Sequence, residues 1–254
     1  MDIVVCMKQT FDTEAKIMIE DGKISEQEVS FIVNPYDEYA IEEAISLRDE
    51  LGGTVTVVCV GKERVQEAVR TALAMGADEA IIVREPADPL DSAALSEVLY
   101  AVIKNLSFDL ILAGNQSVDD GSSQVAVRLA ELLSIGHVST VIQLEVDGRH
   151  VVAHRDAEGN TEVVEGNLPL LITAQQGLNE PRYPSLLGIR KAAKKPITYI
   201  TLEDLGLAGK LEKKTTTVDA FLPQEKKAGF ILEGELTDQV NSLVQQLHEV
   251  NKVL

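Results

Sequence analysis

Apolar residues follow two alternating patterns along the first half of the chain. Short continuous apolar runs, which are typical of buried parallel strands, occur at Ile3–Met7, Val55–Val60, Ala80–Val83 and Leu110–Ala113. Apolar residues at helical spacing follow each run and predict helices over 34–51, 65–75, 91–103 and 125–135. Because strand and helix alternate with short turns, we predict an α/β fold with an open, mostly parallel sheet over residues 1–136.

The pattern changes after Gly136 to an alternation with a period of two residues. Turn sequences interrupt this alternation at 147–148, 158–160 and 165–167. Residues 137–176 are therefore predicted to extend the sheet as an antiparallel meander. We place the α/β domain at residues 1–190, with an irregular loop and a basic segment over 177–196.

Residues 197–254 are predicted to form a carboxyl-terminal arm and a helix. The arm shows little periodicity over 206–229. The helix carries apolar residues three and four positions apart, namely Leu236, Val240, Leu243, Leu247, Val250 and Leu254. Such a narrow seam suits packing on another surface, which is either this domain's own sheet or a partner.

The clearest helix start in the sequence lies at Asn34. Asn34 is a candidate N-cap, Pro35 suits the first helical position, and Asp37 stands near the positive end of the helix dipole. A small hairpin is predicted just before it, around Asp21–Gly22.

Charge and cysteine content narrow the range of partners. The chain has 41 acidic and 23 basic residues, a formal net charge of −18, which repels nucleic acid and anionic membranes. Cys6 and Cys59 stand far apart in apolar runs, as expected of inert core cysteines in a reducing compartment. The amino terminus begins directly as a strand with no basic leader, and no apolar run is long enough to cross a bilayer. We therefore expect a cytoplasmic protein that neither enters membranes nor binds nucleic acid.

The turn between the fourth strand and its helix, Gly114–Gln124, is the main candidate site. Its two glycines allow the backbone to approach a ligand, and Asp120, Ser122 and Ser123 are candidate caps of the following helix. Amides at a helix start, together with the helix dipole, suit a phosphate group. An ordinary strand-to-helix loop is the alternative interpretation, because neither common glycine-rich nucleotide motif occurs in the chain.

Metal and enzymatic chemistry find little support in the sequence. His150 and His154 could share a strand face, but no third ligand is near, so exposed strand histidines are the better interpretation. No nucleophile and base are paired, and Asp119 and Asp120 are interpreted as loop and cap residues. We therefore predict neither catalytic residues nor metal ligands.

Four stretches, taken in order, resemble the β (small) subunit of electron transfer flavoproteins. They are NPYDEYAIEEA (34–44), RTALAMGAD (70–78), AGNQSVDD (113–120) and LNEPRY (178–183). Arg155–Gly159 and Pro169–Ile172 are similar to that family's own signature. The resemblance covers essentially the whole chain, and it implies a sheet of the adenine-nucleotide-binding type that universal stress proteins also have.

The resemblance implies an electron-carrier subunit rather than an enzyme. A larger α subunit would hold the redox-active FAD in a mobile domain, and the arm and helix of residues 197–254 would wrap that subunit. Electrons would come from acyl-CoA dehydrogenases, as in fatty acid β-oxidation, and pass to a quinone oxidoreductase or another acceptor. The flavin would supply the chemistry, and this chain would supply its position.

The resemblance also implies a buried AMP in this subunit. A cradle of backbone amides at Ser122–Val125 would hold its phosphate. The implied cofactor-binding residues are Cys6, Asn34, Pro35, Tyr36, Asp37, Val60, Gly114, Asn115, Gln116, Ser117, Val118, Asp119, Asp120, Gly121, Ser122, Ser123, Gln124 and Val125.

A second FAD in place of AMP is the alternative for this site. The turn reads D-D-D-x-N-Q-T in the AMP-holding branch of the family and D-G-D-T-A-Q-V in the electron-bifurcating branch. Asp119–Val125 reads DDGSSQV and matches each in part. The helix at 37–44 is more similar to the AMP branch, so we predict AMP.

The segment Tyr183–Ile189 resembles the family's recognition loop for dehydrogenases. Leu186 would enter a pocket on the dehydrogenase, with Tyr183, Ile189, Arg190 and Lys191 beside it. The alternative is an ordinary surface or core leucine. The basic residues 190, 191, 194 and 195 would add electrostatic steering, although such a cluster usually marks a solvated helix face.

A stand-alone nucleotide-binding protein of the universal stress type is the rival to this interpretation. The meander, the basic arm and the seam helix argue against it, because a lone sheet domain has no use for them.

Overall fold

The computed structural model describes all residues of the chain except 21, 28, 87, 224–228, 230, 251 and 254. The strands are β1 (Asp2–Met7), β2 (Gln9–Phe11), β3 (Ile19–Glu20), β4 (Lys23–Ile24), β5 (Phe31–Val33), β6 (Thr54–Gly61), β7 (Glu79–Arg84), β8 (Leu110–Gly114), β9 (Gly136–Asp147), β10 (His150–Ala157), β11 (Asn160–Asn167), β12 (Leu170–Ala174) and β13 (Ile197–Ile200). The helices are α1 (Pro35–Leu51), α2 (Val65–Met75), α3 (Ser92–Ile103), α4 (Val125–Leu133), α5 (Leu186–Ala192) and α6 (Leu236–Gln245), which a π-helical turn, Gln246–Val250, continues.

A nine-stranded sheet in the order β11-β10-β9-β12-β8-β1-β6-β7-β13 forms the centre of the molecule. The pairs β11–β10 and β10–β9 are antiparallel. All other neighbours in this order, from β9–β12 to β7–β13, pair in parallel. The predicted α/β class and mostly parallel sheet are confirmed. Helices α1 and α2 pack on one face of the sheet, and α3 and α4 pack on the other.

Two strands pair in a way that differs from the prediction. β12 lies within the predicted antiparallel extension of 137–176, yet it pairs in parallel with both β8 and β9. β13 lies within the predicted arm of 197–254, yet it pairs with β7 and completes the sheet. β12 is a fully buried, mainly apolar run in the parallel part of the sheet. β13 is a short, partly exposed strand at the edge of the sheet.

Local signals at two helix ends also differ from the prediction. α4 ends at Leu133 rather than at Gly136, because Ser134 takes a left-handed conformation (φ 56°) and Gly136 already begins β9. Asn34 precedes α1, but its side chain makes no capping hydrogen bond.

The hairpin around Asp21–Gly22 is present as the antiparallel pair of β3 and β4; Asp21 itself lies outside the described residues.

The arm packs on its own chain as far as residue 220. Leucines of the segment 202–211 contact the core under α3 and α4. The backbone amide of Ala220 then donates a hydrogen bond of 3.1 Å to the carbonyl oxygen of Gly22. This first part of the arm is therefore an element of the domain, whereas the seam of α6 is exposed at Leu236, Val240 and Leu243. The side chains of Val250 and Leu254, also assigned to the seam, lie outside the described part.

Candidate nucleotide site

The order of strand connections creates a crevice between β1 and β8. The chain leaves β1 for β6 and β7 on one side, and then crosses to β8 on the other side. In open parallel sheets, ligands bind at the carboxyl ends of the strands where this reversal occurs. A cavity of about 520 Å³ opens at this place, within the size range of small-molecule sites.

Most of the sequence-predicted site residues line this cavity. Its floor is apolar, with Cys6 and Val60 from strand ends and Leu95, Leu99 and Leu129 from helices α3 and α4. Its rim is polar. The predicted residues that line it are Cys6, Asn34, Asp37, Val60, Gly114, Asn115, Gln116, Ser117, Asp119, Asp120, Ser122, Ser123, Gln124 and Val125. Pro35, Tyr36, Val118 and Gly121 are outside the lining.

Asp37 joins the two strands that border the crevice. One carboxylate oxygen accepts a hydrogen bond from the backbone amide of Lys8 at 2.7 Å, and the other accepts one from the amide of Gly114 at 3.0 Å. Burial raises the pKa of Asp37 to about 7, although both amides act against that rise. Its role is therefore to fix the ends of β1 and β8 relative to the start of α1.

Asn34 fixes the loop that follows β8. Its side-chain amide donates to the carbonyl oxygen of Gln116 at 2.8 Å, and its side-chain oxygen accepts from the backbone amide of Val118 at 3.1 Å. The side chain thus serves as a cross-link between two segments, which explains why it does not cap α1. The nearby Tyr36 hydroxyl accepts a hydrogen bond from Gln116 at 3.3 Å.

Lys8 places a positive charge at the mouth of the cavity. Its ammonium nitrogen lies 2.8 Å from a carboxylate oxygen of Asp119, 3.1 Å from one of Asp120 and 3.3 Å from the hydroxyl of Ser117. Burial lowers the pKa of Lys8, but Asp119 and Asp120 outweigh it and leave the pKa above its ordinary value. The two acidic residues are thus ion-pair partners as well as loop residues.

The turn before α4 presents its backbone to the cavity. Asp120 accepts a hydrogen bond from the amide of Ser122 at 2.8 Å, so it stabilises the turn rather than the helix end. Ser123 has a positive φ of 52°, and Gln124 occupies the N-cap position without a capping hydrogen bond. The Ser122 hydroxyl accepts a hydrogen bond from Ser92 of α3 at 3.2 Å, which ties the two helix starts together.

Several lining residues have no recognisable signal in the sequence. Lys8 follows the carboxyl end of a strand, where ligands bind in open parallel sheets, but its acidic partners have no signal in the sequence. Ser92, Leu95 and Leu99 belong to an ordinary amphipathic helix. Thr217 of the arm also lines the cavity, and nothing in its neighbourhood predicts a return of the chain to this place.

The cysteines and histidines do not form a reactive or metal-binding group. Burial raises the pKa of Cys6 and of Cys59 to about 12, so both thiols are protonated. Cys59 is a core residue as predicted, whereas Cys6 is only partly buried and lines the cavity. His150 lies 3.7 Å from Glu165 on the neighbouring strand. Across the described residues no cluster of potential metal ligands occurs, and no helix there is both long and apolar enough for a membrane span.

Comparison with known proteins decides the family. The model of the electron transfer flavoprotein domain family matches residues 21–205. Electron transfer flavoprotein subunit beta of Bacillus subtilis (strain 168) is 51% identical over 257 residues, which cover 100% of both chains. The chain belongs to the electron transfer flavoprotein beta subunit family.

Two further relatives agree with this assignment. Electron transfer flavoprotein subunit beta of Syntrophomonas wolfei is 40% identical and covers 100% of this chain and 98% of its own. The caffeyl-CoA reductase–Etf complex subunit CarD of Acetobacterium woodii is 38% identical, with 98% of each chain covered.

Membership of the electron transfer flavoprotein beta subunit family sets aside the stand-alone stress-type protein. The family consists of electron-carrier subunits, and it implies an alpha-subunit partner and a flavin in the complex. The cavity and the surface described next are therefore parts of one half of a larger carrier.

The segment assigned to partner recognition presents an apolar surface. Tyr183 is 95% exposed and Leu186 is 84% exposed, and Leu187 and Ile189 of α5 are also mostly exposed. Arg190 and Lys191 are exposed in the last turn of α5. The high exposure of Leu186 excludes a position in the core of this chain. We call Tyr183, Leu186, Leu187 and Ile189 the α5 surface.

The arm reaches the cavity at Thr217, and Asp91 holds the arm two residues before it. One oxygen of this carboxylate caps α3 by accepting from the amide of Ala94 at 2.9 Å. The other accepts from the amides of Lys214 at 2.6 Å and Thr215 at 2.8 Å. Burial raises the pKa of Asp91, but these amides outweigh it and leave the pKa below its ordinary value.

Replacement of Asp91 by alanine is expected to lower the free energy of unfolding by about 1 to 2 kcal/mol through loss of the cap. It should also release the arm, so trypsin should cut after Lys213 or Lys214 faster than in the wild type. Asp88→Ala is the matched control, because it removes only an exposed ion pair with Lys213. Equal cleavage of the two variants would show that Asp91 does not hold the arm.

Proposed function

We propose that this beta subunit binds AMP permanently in the cavity at the β1/β8 crevice and thereby supports a flavin held mainly by the alpha subunit. The observation that carries the proposal is the combination, in one cavity, of an apolar floor and a rim with the start of α4 and the Lys8 ammonium. An adenine ring suits the floor, and a phosphate suits amides and a positive charge.

The phosphate would lie against the amides of the turn before α4. Ser123 in a left-handed conformation, followed by a right-handed Gln124, turns successive amides toward one side. The amide of Ser122 is already bonded to Asp120, so Ser123 to Val125 are the better donors. Lys8 would then share its charge between the phosphate and its two acidic partners.

A second FAD is the alternative occupant, as in a bifurcating carrier. The sequence of Asp119–Val125 matches the turn of both branches in part, and this partial match supports FAD as the alternative occupant. The name of the relative CarD refers to a caffeyl-CoA reductase complex. This name supports an enzyme that acts on CoA esters as a redox partner of the carrier. We propose an acyl-CoA dehydrogenase as the electron donor. A quinone oxidoreductase or a similar enzyme would be the acceptor.

The proposal is tested by coexpression with the natural alpha subunit, acid extraction of the purified heterodimer and chromatography. We expect one AMP and one FAD per heterodimer. In Ala126→Phe, whose side chain would enter the cavity, AMP should be lost and FAD retained. Two FAD and no AMP would establish the alternative, and a heterodimer without any adenine compound beyond one FAD would refute both.

We further propose that the α5 surface docks the carrier on an acyl-CoA dehydrogenase. An exposed leucine on an anchored helix can enter a pocket of a partner, and such an anchor contributes about 2 kcal/mol. The exposed Arg190 and Lys191 would steer the encounter with an acidic partner.

Replacement of Leu186 by alanine is expected to raise the apparent KM of the dehydrogenase for the heterodimer about 30-fold, the equivalent of about 2 kcal/mol. AMP and FAD contents should stay at wild-type levels. Leu132→Ala, on the exposed side of α4, is the matched control. An unchanged KM for Leu186→Ala would place the docking surface elsewhere.

A further inference from the structure

The α5 surface lies on a segment that close packing and hydrogen bonds attach to helices α1 and α2. Gly188 packs so closely on α2 that a Cβ atom there would collide with the carbonyl oxygen of Ala74. Ala192 at the other end of α5 is buried in the core between the helices. The inner side of α5 therefore uses small residues for close contact, and its outer side is the apolar surface.

Helices α2 and α5 cap each other's carboxyl ends. The ammonium of Lys195, just after α5, donates to the carbonyl oxygens of Leu73 and Gly76 at 3.1 Å each and to that of Ala77 at 2.5 Å. In return, one guanidinium nitrogen of Arg70 in α2 donates to the carbonyl oxygens of Ala192 at 2.5 Å and Lys195 at 3.0 Å. Leu73 and Ala192 lie in the last turns of their helices, where carbonyls lack a partner within the helix, and the other three carbonyls belong to the turns that follow.

Lys195 is therefore not part of a solvated basic face, in contrast to the prediction from the sequence. It is half-buried, whereas its neighbour Lys194 is exposed. Burial lowers the pKa of Lys195, and the charges of Arg48 and Lys191 lower it further, while Asp78 opposes this change. The hydrogen bonds to three carbonyl oxygens are what stabilises the Lys195 ammonium in these partly buried surroundings.

The amino-terminal side of the segment is anchored to α1. The guanidinium of Arg182 donates to both oxygens of the buried Glu42 at 2.7 and 2.8 Å, and its backbone amide donates at 3.1 Å. Asn179 donates to the carbonyl oxygen of Tyr39 at 3.0 Å and to Glu43 at 2.9 Å. The α5 surface is thus held from both sides.

We propose that Arg70 and Lys195 are positioning residues for docking: their reciprocal caps fix the direction in which α5 presents Leu186 to the dehydrogenase. This inference rests on the proposed docking role of the α5 surface. A rigid surface loses less conformational entropy on binding than a mobile one, so loss of either cap should weaken docking without removing any contact with the partner.

The test uses the heterodimer with its natural alpha subunit and an acyl-CoA dehydrogenase reduced by octanoyl-CoA. For Lys195→Met and Arg70→Met we expect faster deuterium uptake in peptides that contain 186–192 and an apparent KM about fivefold higher. The kcat and the AMP and FAD contents should not change. Arg70→Lys, which retains one donor for the same carbonyls, should restore part of the KM.

Lys194→Met is the matched control, because it removes the same charge from the exposed neighbour. We expect wild-type deuterium uptake for it. An equal rise of KM in Lys194→Met and Lys195→Met, without faster uptake, would mean steering by charge and would overturn the inference. An unchanged KM in Lys195→Met and Arg70→Met, together with a raised KM in Leu186→Ala, would also overturn it and leave the docking proposal intact. An unchanged KM in Leu186→Ala would refute the docking proposal itself.

Discussion

Replacement of Asp37 by alanine is expected to lower the free energy of unfolding by about 4 kcal/mol. The backbone amides of Lys8 and Gly114 would both lose their acceptor, and each unsatisfied buried donor costs about 1 to 3 kcal/mol. The ends of β1 and β8 would separate, so the AMP that we propose for this cavity should also be lost from the heterodimer. Urea unfolding and cofactor extraction measure the two effects.

Glu50→Ala is the control for this variant, because Glu50 is an exposed residue of the same helix. It should change the stability by less than about 0.5 kcal/mol. A loss below about 1 kcal/mol for Asp37→Ala would mean that water or a neighbouring group replaces the carboxylate.

The penalty of Asp37→Asn should depend on pH. Burial raises the pKa of Asp37 to about 7, above the value of about 3.9 for an unfolded chain. Between these values the folded state retains a proton that the unfolded state has released, so the contribution of Asp37 to stability falls as the pH rises from about 4 to 7. The stability difference between wild type and Asp37→Asn should therefore narrow from pH 4.5 to pH 7.5, and a widening difference would contradict this sign.

Replacement of Gly114 by alanine is expected to destabilise the protein by about 3 kcal/mol and to abolish nucleotide binding. A Cβ atom at Gly114 would collide with a carboxylate oxygen of Asp37 and would lie 2.7 Å from the Cβ of Tyr36. The start of α1 or the end of β8 would have to move, and both border the cavity. Thermal unfolding and AMP extraction from the heterodimer measure the result.

Gly229→Ala is the matched control, since a Cβ atom there would meet nothing within 4 Å. It should leave both the unfolding temperature and the AMP content unchanged. AMP retained at wild-type levels in Gly114→Ala would show that the nucleotide does not depend on the close approach of β8 and α1.

The parallel part of the fold is predictable because its strands are continuous apolar runs and each is followed by a helical pattern. Leu170–Ala174 is also such a run, but its position after two turn-rich hairpins favours a meander, and only the pairing with β8 and β9 reveals a parallel strand. The short strand Ile197–Ile200 is similarly ambiguous, because a run of four residues is too short to predict a strand from its pattern alone.

The candidate site is predictable in its position but only in part in its contacts. Strand ends and a helix start identify the residues of the 114–125 turn without any three-dimensional information. Asn34 has the pattern of an N-cap, and the same pattern serves a cross-link to Gln116 and Val118. Lys8 and Lys195 depend on segments more than a hundred residues away, and local sequence carries no signal for such distant partners.

Helix α1 has a double attachment. Asp37 in its first turn borders the cavity, and Glu42, five positions later, holds Arg182 and with it the segment of α5. Helix α1 thus contacts both the cavity proposed to hold AMP and the segment that carries the proposed docking surface. We expect heterodimers assembled without AMP to hold the α5 surface less firmly and therefore to bind a dehydrogenase more weakly than complete heterodimers do.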